Sequence, residues 1–134
     1  MACGGRVTTD DQTHAAELDQ ARTTLNEAGA ARLERRPWEH SGQPRSDTDL
    51  VRFAAWAGRD AHGTDPAVLA AGLRLLSSAR VELDQIESGL LFAARACGMT
   101  WPQVAEALGL GSAQAAQQRL NRVLARAGDR DAEA

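Results

Sequence analysis

The chain has 134 residues and a formal net charge of -3; 43% of its residues are hydrophobic and 4% aromatic, and all 15 basic residues are arginine. That length suits one domain of ordinary size, whose core must be built from leucine, valine and alanine because aromatic rings are scarce. The acidic balance argues against a uniformly basic nucleic-acid binder. No apolar run approaches the ~18 residues of a membrane-spanning helix, and the N-terminus lacks the basic-then-apolar pattern of a signal peptide; a cytoplasmic protein with no membrane partner is expected.

Residues 1–9 are rich in glycine and threonine and are expected to lie outside the fold. A helix capped by Asp10 or Thr13 is predicted to run to about Arg35, with His14, Leu18, Ala21, Leu25 and Ala28 on one face. A stripe weakened by alanine buries little area, so residues 1–47 read as a helical arm and linker, dispensable for folding up to residue 36. Pro37 to Asp47 carries two prolines and a glycine and reads as a surface loop, with Trp38 expected to anchor it on the core. Residues 48–128 read as the helical domain and residues 129–134 as a tail.

Asp47 or Thr48 caps the next predicted helix, with Leu50, Phe53, Ala54 and Ala57 on one face and Trp56 off it. Gly58 to Thr64 is a turn in which His62 reads as solvated. Asp65 caps the following helix, with Pro66 at its first position. From there two apolar stripes adjoin: Leu69, Leu73, Leu76, Leu83, Leu90, Ala94 and Cys97, and beside them Val68, Leu75, Ala79, Ile86 and Ala93. They predict a broadly buried helix of ~30 residues, or two nearly collinear ones broken near Ser77–Ser78, ending at Gly98. No alternating strand pattern occurs. The expected fold is all-α, with about five helices and a C-terminal helix pair packed on the long central helix.

Three histidines, at 14, 40 and 62, are scattered, and no nucleophile or carboxylate pair is placed beside them, so neither enzyme activity nor a cofactor is expected. Asp10–Asp11 and Glu82–Asp84–Glu87 read as solvated helix surface. Cys3 and Cys97 cannot form a zinc ligand set, and Cys97 reads as a small buried apolar side chain.

The most informative stretch is 100–124. Thr100 and Gln103 have the spacing of a capping box, and Pro102 suits the first turn. Val104, Ala105 and Leu108 share a face, and Gly109 is a left-handed stop. Ser112 then caps a second helix with Ala116, Leu120, Val123 and Ala127 inward. In Ala105, Gly109, Leu110, Ala116 and Leu120 this stretch resembles the helix-turn-helix of small actinobacterial transcriptional regulators and of the promoter-binding region of sigma factors. Gly111 lengthens its turn by one residue.

The resemblance implies a helix-turn-helix over 100–126 and sequence-specific binding of double-stranded DNA. With Ala116 inward, Gln114, Gln118, Asn121 and Arg122 face outward, with Gln117 at the edge. Glutamine and asparagine can bond adenine, and arginine guanine, in the major groove. Thr100, Ser112 and Arg126 suit phosphate. Between Gly98 and Gly128 three arginines stand against one glutamate, a local +2, and no acidic residue occurs from Leu108 to Gly128. Two half-sites ~34 Å apart call for a homodimer, expected through some part of residues 10–95. The alternative is an all-α adaptor that binds RNA polymerase, a sigma factor or another regulator.

Overall fold

The computed structural model describes residues 8–133, with side chains as far as Gly128. It contains six α-helices and, among the described residues, no strand. They are α1 (Thr9–Ala28), α2 (Asp47–Ala57), α3 (Pro66–Arg74), α4 (Leu76–Ala96), α5 (Trp101–Leu108) and α6 (Ala113–Glu133), with a single 3-10 turn at Ala30–Arg32. The chain divides into two compact units, one ending at Glu82 and one beginning at Leu83. Cys3 lies outside the described residues.

In the first unit, α1 is capped by Thr8, two residues before Asp10. The Thr8 hydroxyl accepts the Asp11 N–H at 3.2 Å and the Asp11 carboxylate accepts the Thr8 N–H at 3.2 Å, satisfying two donors that the helix itself leaves free. The helix stops at Ala28, short of the expected Arg35, because Gly29 turns the backbone to φ 140°, a conformation that side chains disfavour. The segment expected to stand apart as an arm belongs to the core: Ala21, Leu25 and Ala30 are buried with Leu50, Ala54, Val68, Ala71 and Leu75. Its alanines bury little each, but they let neighbouring helices approach closely. The same holds between α2 and α3, where a Cβ on Gly72 would lie 2.5 Å from the Ala54 Cβ.

The long central helix is broken at Leu75, two residues before the expected Ser77–Ser78. There the N–H bonds to both the Ala71 and Gly72 carbonyls at 3.2 Å, and the Leu75 side chain is fully buried. Val68, Leu75 and Ala79 of the second predicted stripe are buried, whereas Leu69, Leu73, Leu83 and Leu90 of the first are exposed, as are Ile86 and Ala93. Cys97, expected inside, is exposed as well, because it continues the outward row of Leu83 and Leu90.

A polar cluster ties the first unit together. Asp47, first residue of α2 and 5% exposed, accepts from the Arg22 Nε at 2.7 Å and from its terminal nitrogen at 2.8 Å, and from the Ser78 hydroxyl. Glu82, expected as solvated surface, instead accepts the Asp47 N–H at 2.8 Å, the Thr48 N–H at 2.9 Å and the Thr48 hydroxyl at 2.8 Å. The N-cap of α2 is Ser46, one residue earlier than expected, so the start of α2 is held from three sides. The loop before it is held by arginine rather than by Trp38, which is 76% exposed. Arg35 donates to the Gln43 carbonyl at 2.9 Å and Arg45 to the Ala31 and Glu34 carbonyls at 3.3 Å.

Arg22→Ala is expected to cost about 2 kcal/mol in urea unfolding, below the ~3–5 of a fully buried pair because the guanidinium keeps part of its hydration. Burial opposes the charged Asp47, but hydrogen bonds from Arg22 and Ser78 and the Arg22 charge outweigh it and hold the carboxyl below its ordinary value. The stabilisation is therefore complete above the unfolded value near ~3.9 and is lost as pH falls through the lower folded value. Asp47→Asn should flatten that acid limb of the stability curve. Deleting residues 1–36 should abolish cooperative melting of the first unit, since Ala21, Arg22, Leu25 and Ala30 leave with it; a truncated chain that melts as sharply by circular dichroism would refute this.

Candidate nucleic-acid interface

In the second unit, two glycine turns set the helices. Gly98 (φ 90°) ends α4, with the Met99 N–H donating to the Ala94 carbonyl at 3.0 Å. Gly109 (φ 70°) ends α5, with the Leu110 N–H donating to the Ala105 carbonyl at 2.8 Å and the Gly109 N–H to Glu106 at 3.0 Å. This paired arrangement satisfies the last free carbonyls of a helix. The capping box of α5 is formed as the spacing predicts: the Thr100 hydroxyl accepts the Gln103 N–H at 3.3 Å, and the Gln103 side chain accepts the Thr100 N–H at 2.8 Å. Ser112 caps α6 by accepting the Ala115 N–H at 3.2 Å. Leu91, Val104, Ala105 and Ala116 are buried in one cluster, with Leu110 and Leu120 packed on it.

The side chains proposed from sequence for base contact share one exposed surface of α6: Gln114, Gln117, Gln118, Asn121 and Arg122. Thr100, Ser112 and Arg126 are exposed too, though the two hydroxyl oxygens already accept the capping N–H groups. Arg126 stands differently from the others, because its guanidinium donates to the Asp84 carboxylate at 3.2 Å. Arg119, one heptad earlier on the same flank, donates to Glu87 at 2.5 Å. Asp84 and Glu87, expected as solvated surface, therefore neutralise two of the three arginines behind the local positive charge. Arg122 makes no ion pair among the described residues. Local sequence carried no signal of this pairing, because the partners lie 32 and 42 residues apart.

Among the described residues no group of His, Cys, Asp or Glu could hold a metal ion, and no helix is long and apolar enough to cross a membrane. The chain matches no protein-family model, no curated protein and no solved structure.

Gly109→Ala would force a side chain into the left-handed region. It is expected to cost ~1–2 kcal/mol and to lower the melting temperature, whereas Gly111→Ala, with open space around its Cβ position and no positive φ, should change it little.

Proposed function

We propose that α5, the Gly109 turn and α6 act as a helix-turn-helix carried on α4, and that the chain is a sequence-specific regulator of transcription that binds double-stranded DNA as a homodimer. The observation that carries this reading is the outward face of α6. It offers three glutamines, one asparagine and one arginine that makes no ion pair among the described residues, all exposed, on a helix whose inner face is fixed by Ala116. These side chains have the donors and acceptors that read base edges. Arg122→Ala and Gln118→Ala should each cost ~1–3 kcal/mol on the preferred site. Freeing Arg119 by Glu87→Gln should strengthen binding to all sequences alike and steepen its loss in salt. A randomised-DNA selection at low salt that enriches no motif would refute the reading.

The second reading, an adaptor for RNA polymerase or a sigma factor, gains from the same ion pairs, since they engage Arg119 and Arg126 with carboxylates and so leave fewer guanidinium groups for phosphate. It requires that a polymerase or sigma subunit bind and that Arg122→Ala leave that binding unchanged.

A further inference from the structure

We propose that a cavity between α2 and the loop before it binds an aromatic carboxylate, its ring against Trp56 and Phe53 and its carboxylate held by Arg36 and Arg52. The cavity measures about 350 Å³ and is lined by Leu33, Arg36, Asp49, Arg52, Phe53 and Trp56, all in the first unit. Small-molecule sites of ~300–1,000 Å³ combine an apolar wall with a few convergent polar groups, and this lining has both.

The wall is aromatic and held in place. Phe53 packs on the core of the first unit and closes over Gly29, where a Cβ would lie 3.2 Å from the ring. The Trp56 ring centroid is 5.9 Å from that of Phe53, and the Arg59 guanidinium lies 3.9 Å from the Trp56 centroid. Arg59 lines the neighbouring cavity and not this one. Trp56 is therefore braced from the neighbouring side, yet it remains 58% exposed. A fixed ring of this kind takes an aromatic ligand in offset or edge-on contact.

The charged groups say what that ligand carries. Arg36 and Arg52 make no ion pair among the described residues. The arginines lining two other cavities are engaged, Arg59 with Trp56 and Arg119 with Glu87. Asp49, in the first turn of α2, supplies the one carboxylate of the lining. Two guanidinium groups against one carboxylate leave a net charge of +1, which a monoanion neutralises. A carboxylate also matches the guanidinium fork with two parallel bonds. A phosphate dianion would bring more charge toward Asp49 than the lining offsets, and a neutral aromatic would leave both guanidinium groups without a counter-charge.

The test uses the full chain and needs no DNA. At the efficiency of ordinary small ligands, 2-naphthoate should bind with a Kd on the order of 1 mM. In a nitrogen–proton correlation NMR titration the Trp56 indole N–H should shift saturably, while that of Trp101, in the second unit, stays in place. Neutral 2-naphthalenemethanol and inorganic phosphate should each bind at least ~tenfold more weakly. Arg36→Ala and Arg52→Ala should each weaken naphthoate binding roughly tenfold, and Arg74→Ala, outside the lining, should not. Both arginines are exposed, so helix content by circular dichroism should be unchanged; the comparison of ligands on the unaltered chain tests the proposal even where a variant misfolds. Absence of a saturable shift at Trp56, or binding indifferent to both arginine substitutions, would overturn it. So would equal affinity for the alcohol, which marks a merely apolar groove, or for phosphate, which marks a merely anionic site. The proposed DNA contacts lie in the second unit, so neither result decides the other.

Discussion

Small side chains at the helix crossings are the constraint on which both units rest. Gly72 meets Ala54 where α2 and α3 cross, and Ala21, Ala30 and Ala71 complete the same core; in the second unit Ala105 and Ala116 share one cluster. Close backbone approach gives many dispersion contacts, yet each alanine removes little apolar area from water. Such cores need directional bonds to fix where each helix begins and ends. In the first unit these come from Arg22, Ser78 and Glu82 converging on the first turn of α2. In the second they come from the Thr100–Gln103 box and the turns at Gly98 and Gly109.

The same constraint sends large aliphatic side chains outward. Once alanine fills the crossings, leucines on the adjoining rows have no inner partner. In the first unit Leu69 and Leu73 line an apolar groove of about 350 Å³ with Val51 and Ala55. In the second, Leu83, Ile86 and Leu90 stand beside a larger one. In these rows leucine stands outside while alanine fills the crossing, the inverse of the usual order, even though Leu25, Leu50, Leu75 and Leu91 are buried elsewhere in the cores.

What was legible in the sequence was local. The caps at Thr100 and Asp65, the stop at Gly109, and the inward Ala105 and Ala116 follow from spacings of one to four residues, and all are in the structure. Periodicity failed where it had to choose between two adjoining stripes, because apolar spacing does not say which stripe faces inward. Leu91, buried in the second unit, belonged to neither. Charge failed for a related reason. Glu82, Asp84 and Glu87 look alike as a string of helix acids, and only the fold brings backbone N–H groups to the first and arginines to the other two. Trp38 illustrates the limit of residue type: the ring that should anchor its loop lies in water while Arg35 and Arg45 hold the loop by its carbonyls.

These ion pairs bear on how α6 would meet DNA under the proposed reading. Moving Arg126 from Asp84 to a phosphate exchanges one anion for another and leaves the half-buried Asp84 near the phosphate backbone with less compensation. The exchange gains little, and the same holds for Arg119, bound to the similarly half-buried Glu87. The sequence-independent term, which scales with the number of phosphates neutralised, then gains little from these two arginines. Contacts from Gln114, Gln118 and Asn121 to base edges would have to supply most of the affinity. On that reading a helix so arranged would bind non-specific DNA weakly and depend on a matched site, because part of the field that would hold it on any sequence is spent within the protein.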